Sequence, residues 1–124
     1  RRQETAASHR MFADLARAAG VDAAALAGPD QPMRTEGDVA AAIAEGKADV
    51  GFGIAASAAQ MRLDFIPLLT ARYDLLVWRA AWFDPPFQAV LKFLRSPDLV
   101  ARAAELGGYD LSDLGRVHFN GDAR

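Results

Sequence analysis

Three places in this chain set hydroxyls or glycine where a helix begins, and a helix start is where exposed backbone N–H groups suit an anion or a carboxylate. Residues Thr5 to Ser8 lead into the first helical segment and supply two hydroxyls. Thr35 leads into the second. Gly53, followed by Ile54, leads into the third, and glycine there lets a ligand approach the backbone. His9 in the first turn and Tyr73 further along are candidate wall residues for the same site. Each has a simpler reading beside it. Ser8 and Thr35 cap helices whether or not a ligand exists, Gly51 and Gly53 relieve crowding at a strand end, and Tyr73 packs. Trp78 and Trp82 fit a core or an interface better than a stacking platform.

Catalytic patterns are missing. The sequence has no phosphate-loop pattern, no dinucleotide glycine fingerprint and no nucleophile elbow, and Gly51-Phe52-Gly53 stops at GxG. The carboxylates are scattered over helix surfaces without a paired arrangement. The expectation is a binding protein and not an enzyme, with no catalytic residues, no metal and no cofactor.

Composition narrows the partners. The 124 residues carry 14 basic and 16 acidic side chains for a net charge of −2, which argues against direct binding of nucleic acid. There is no cysteine, hence no disulfide framework or thiolate site. No apolar run reaches the length of a membrane span, and the first twenty residues lack the apolar stretch of a signal peptide. The expectation is a cytoplasmic chain that makes no membrane contact.

The elements that would position these residues follow from periodicity. Met11, Phe12, Leu15, Ala16 and Ala19 predict a helix over about 8–19, capped by Ser8 and stopped at Gly20. A short helical turn is expected over 22–26. Val39, Ala42 and Ile43 predict a helix over about 36–45, capped by Thr35 and ended at Gly46. A further short helix is expected over 54–61. Pro85-Pro86 open a helix with Phe87, Val90, Leu91 and Leu94 on one side, and Ser96-Pro97 open another that ends at Gly107. Apolar runs at 48–53, 63–68, 72–79 and 117–119 read as strands. Helices alternating with strands predict an α/β domain.

Several segments in order resemble one family. They are Arg2-Gln3 through Ser8, Val39 to Ala44 with Gly46, Ala48-Asp49-Val50-Gly51-Phe52-Gly53, Leu63-Asp64-Phe65-Ile66-Pro67-Leu68, Arg72-Tyr73-Asp74-Leu75, Phe93-Leu94-Arg95-Ser96-Pro97 and Gly107-Gly108-Tyr109-Asp110. Together they look like the periplasmic-binding-protein-like (type 2) domain found with molybdate-type regulators and molybdopterin-biosynthesis proteins. The resemblance implies two α/β lobes with ligand held between them. Residues 1–70 would form most of the second lobe, and 71–124 the crossover strand and first-lobe helices. The fold would be partial, the chain a piece of a longer protein.

The implied function is non-catalytic sensing of a small polar or anionic ligand. A molybdate- or tungstate-like oxyanion comes first and organic acids second. The domain would be the effector part of a regulator, attached to a DNA-binding or molybdopterin-biosynthesis domain. Thr5, Ser8, Thr35 and Gly53 would supply donors, with His9 and Tyr73 as walls. The chain departs from the family pattern at Ala6, which lacks a serine hydroxyl, at His9 in place of arginine, and at Glu36 where histidine is common. These departures weaken the oxyanion reading and favour an alternative, an interaction or dimerisation module with a degenerate site. The apolar surface a partial fold leaves predicts a homo-oligomer.

Overall fold

Several helices of this chain begin or end where a local signal tells them to. A computed structural model describes residues 2–121. Helix α1 spans Ala7–Ala18, α2 Glu36–Ala44, α3 Ala55–Gln60, α4 Pro85–Leu94 and α5 Pro97–Leu106, with a 3-10 helix at Arg79–Phe83. Thr35 caps α2 through a reciprocal box. Its hydroxyl accepts from the Asp38 N–H at 3.0 Å, and its own N–H donates to the Asp38 carboxylate at 2.8 Å. Ser96 caps α5, and prolines open both α4 and α5, because the first helical position needs no N–H.

The three helices nearest the N-terminus end in one way. In each, the second residue past the C-cap bonds back five positions: Val21 N–H to Ala16 O, Lys47 N–H to Ala42 O and Leu63 N–H to Ala58 O. This closure needs a left-handed residue just past the cap. Gly20 and Gly46 fill that place with φ of 70° and 69°, and Arg62 fills it at α3 with φ of 56°.

The chain divides into two compact units, Arg1–Pro67 and Leu68–Arg124. In the first, the buried residues are Ala16, Val39, Ala40, Ala42 and Ala56. These small side chains let α2 and the segment around Gly51 approach closely. A Cβ on Gly51 would sit 2.5 Å from Val39 Cγ1. Phe12 of α1 meets Phe52 with ring centroids 5.9 Å apart. In the second unit Leu91 of α4 is buried, and Trp82 of the 3-10 helix leans on Phe87 at 5.3 Å.

The α/β expectation is overturned. Among the described residues there is no sheet, and the β-type pairing is a single isolated parallel bridge between Arg2 and Met33. The runs at 48–53, 63–68, 72–79 and 117–119 form no strands, and Arg79 instead starts the 3-10 helix. The periplasmic-binding-protein-like two-lobed α/β architecture is therefore not what the chain adopts. The physical reason lies in what strand composition reports. β-branched and aromatic runs favour a pleated, half-buried surface, but a strand exists only when a distant segment supplies its hydrogen bonds. Here none does, and Val50 and Ile66 stand 84% and 79% exposed. The helical turn expected at 22–26 is also smaller than read: Asp22 closes a turn on Ala24 and Ala25 without a helix. No helix among the described residues is long and apolar enough to cross a membrane.

Candidate functional site

The site grows from a small displacement in where α1 begins. The helix starts at Ala7, with Ala6 at the cap and no side chain serving its N–H groups. Ser8 thus lies one position inside the helix and does not cap it, contrary to the expectation. Its hydroxyl is free for another partner, and that partner is the carboxylate of Glu36, the first residue of α2. Ser8 Oγ donates to Glu36 Oε1 at 2.9 Å.

Arg2 completes the cluster. Its Nε lies 3.3 Å from both Ser8 Oγ and Glu36 Oε1, and its Nη1 donates to the Met33 carbonyl at 3.2 Å. The side chains of Arg2 and Glu36 retain 15% and 21% of their exposure, so this ion pair is better shielded from water than the helix-surface pairs. The parallel bridge between Arg2 and Met33 holds the first residues against the approach to α2.

One oxygen in this cluster is left over. Glu36 Oε2 is buried and has no hydrogen-bond partner. Gly53 lies against it: a Cβ there would come within 3.3 Å of Oε2. A buried carboxylate oxygen without a donor is costly, since desolvation is uncompensated. One further hydrogen-bond donor, an ordered water included, would satisfy it.

The same start of α1 borders a hollow of about 540 Å³ lined by Glu4, His9, Ala27, Gly28, Pro29, Asp30 and Pro32. Two acidic residues and a histidine are among its lining residues. Nearby, the Asp38 carboxyl is held below its usual range, first by the Thr35 backbone N–H and then by the Thr35 side chain.

The structure brings together some of the residues chosen from sequence and not others. Ser8 and Gly53 both meet Glu36. Thr35 precedes Glu36, but its hydroxyl is engaged in capping. His9 lines the neighbouring hollow. Thr5 is exposed in the turn before α1. Tyr73 belongs to the second unit and is 80% exposed. Sequence reasoning missed Arg2, and it named Glu36 only as a departure from the family pattern, not as the residue on which the cluster is built. Glu36 carried a signal, an acidic residue directly after a cap, whereas nothing local to Arg2 pointed to partners 31 residues away.

Comparison with known proteins decides the family. Residues 1–95 match the family described as the PBP superfamily domain. The chain belongs to that family. Membership makes ligand binding the general expectation for this PBP superfamily chain, without naming a ligand. A curated Clostridium pasteurianum protein, described as "Uncharacterized protein in ferredoxin 2Fe-2S gene 5'region", is 30% identical over 99 residues, covering 79% of this chain and 88% of that protein. The Bacillus subtilis (strain 168) "Uncharacterized protein YvgK" is 31% identical over 98 residues, 79% of this chain but only 31% of that protein. No solved structure matches the chain.

Proposed function

We propose that the first unit of this PBP superfamily chain binds a small polar molecule that donates a hydrogen bond or a positive charge to Glu36. The observation that carries the reading is the buried, partnerless Oε2 of Glu36 beside Gly53. An ammonium or hydroxyl group answers that need. Glu4 and Asp30, in the lining of the hollow at the start of α1, add acidic residues that favour the same ligand class. A molybdate- or tungstate-like oxyanion fits less well, because Glu36 sets a negative charge where the oxyanion would lie, and Ser8 already donates to that carboxylate.

The proposal is of binding without catalysis. Its readout belongs to whatever the domain is joined to. The match with 31% of the Bacillus protein supports a role for this domain within longer chains, of which a DNA-binding regulator or a molybdopterin-biosynthesis protein are the kinds considered.

Thermal stability measured against amines, amino acids, polyols, organic acids, molybdate, tungstate, sulfate and phosphate tests the proposal. A ligand that binds only the folded state adds about 2.7 kcal/mol at a hundredfold excess over its Kd. An amine or polyol should give a saturable rise that Glu36→Gln removes. A rise with an oxyanion that survives Glu36→Gln, or no rise with any amine or polyol, would overturn it.

A further inference from the structure

Residues 64–77 belong to no helix and make no backbone–backbone hydrogen bond to another described residue. The part of this stretch in the second unit, with Trp78, is Leu68–Trp78. It contains no proline, so every N–H in it can donate. Its apolar side chains face water, with Leu76 98% and Trp78 80% exposed. A run of apolar residues with unmade backbone hydrogen bonds is a template for pairing with another chain.

Its charges identify the occupant. Leu68–Trp78 contains one cation and one anion, Arg72 and Asp74, which flank Tyr73 and pair with each other at 3.0 Å. Side chains two apart lie on one side of an extended segment, as this pair does. We propose that Leu68–Trp78 is a dimerisation strand that pairs antiparallel with the same segment of a second copy, with the two-fold axis at Tyr73. In that register Arg72 faces the partner's Asp74 and Asp74 faces the partner's Arg72. Leu69 then faces the partner's Val77, and Leu68 the partner's Trp78. Centring the pair on Arg72 or on Asp74 sets like charges face to face, which destabilises a ladder. A shift of one residue sets Arg72 against the partner's Leu75 in one direction or the partner's Tyr73 in the other, and in both separates it from Asp74. The self-complementary pattern is what a two-fold interface requires.

The inference does not rest on ligand binding at Glu36.

The test is oligomeric state by light scattering across a wide concentration range, with circular dichroism to confirm that each variant folds. The expected result is a dimer. Leu76→Glu should weaken it roughly tenfold or more, and being on an exposed side chain should leave the fold intact. Arg72→Asp should weaken it, and the double variant R72D/D74R should restore it. These 124 residues include no cysteine, so Y73C provides a clean second readout: it should give a disulfide-linked dimer on mild oxidation, whereas L69C should not. A monomer at every concentration overturns the proposal. So does a dimer insensitive to Leu76→Glu and Arg72→Asp, or a longer natural chain that is monomeric with residues 68–78 protected from hydrogen exchange.

Discussion

Ser8 and Glu36 meet across 28 residues of sequence, hydroxyl to carboxylate at 2.9 Å, and their contact joins the start of α1 to the start of α2. Arg2, which donates to Ser8 Oγ, forms an ion pair with the same carboxylate oxygen, so Glu36 Oε1 has a donor and a cation beside it while Oε2 has no donor. The cluster is a structural link between the two helix starts, and its asymmetry is the feature that the proposed ligand would answer.

Ser8→Ala separates these roles. It removes a hydrogen bond to a charged, part-buried acceptor, a loss of about 1.5–3 kcal/mol. Alanine regains roughly half a kcal/mol in helix propensity, and Arg2 still serves the oxygen. The net expectation is a destabilisation of about 1–2 kcal/mol, read from urea unfolding. Unchanged stability would mean that the hydroxyl contributes nothing in the free protein.

The helices were legible because their punctuation is local. Thr35, Pro85, Ser96-Pro97, Gly20 and Gly46 each act within a turn of where they stand, and the helices stop and start there. The runs at 48–53 and 72–79 were misread because a strand is a statement about a partner elsewhere in the chain. At the site, Ser8 and Gly53 were chosen as donors to a ligand. Both instead meet Glu36, because the cap fell at Ala6 rather than at Ser8. Arg2 was beyond local reasoning, since its partners come together only when α2 is in place.

The capping box makes stability depend on acid. The Asp38 carboxyl titrates below its usual range because the Thr35 backbone N–H and then the Thr35 side chain favour its charged form. Asp110 is lowered in the same way, first by the Ser112 backbone N–H and then by the Ser112 side chain. A depressed folded-state pKa gives stability that is present above the unfolded value, near pH 4, and is lost as pH falls through the lower folded value. Melting temperature should therefore fall as the pH is lowered from about 4. In Asp38→Asn that fall should be shallower, and equal steepness in the variant would remove Asp38 from the account.

Gly51 fills a place where a side chain has no room. A Cβ there would lie 2.5 Å from Val39 Cγ1 and 3.1 Å from Ile43 Cδ1. Val39 is buried and β-branched on a helix, so its rotamer has little freedom to yield. Gly51→Ala should destabilise by about 1–3 kcal/mol. Adding Val39→Ala opens the space, so the double variant should be more stable than the two single losses predict when added. Strict additivity would show that Gly51 and Val39 do not press on each other.

Arg62 carries the third of three equivalent helix ends, and the other two have glycine there. Its φ of 56° is a conformation that a side chain makes costly, by about 1–2 kcal/mol. Among the described residues its own side chain has no hydrogen bond or ion pair that would offset this. Glycine removes the strain but enlarges the unfolded ensemble, which returns roughly 0.4–1 kcal/mol. Arg62→Gly should therefore stabilise the chain by up to about 1 kcal/mol, moving the urea midpoint upward at constant slope. Gly20→Arg, which creates the same strain at the end of α1, should move it downward. A loss of stability in Arg62→Gly would show that the arginine side chain stabilises the end of α3 by more than its backbone strain costs.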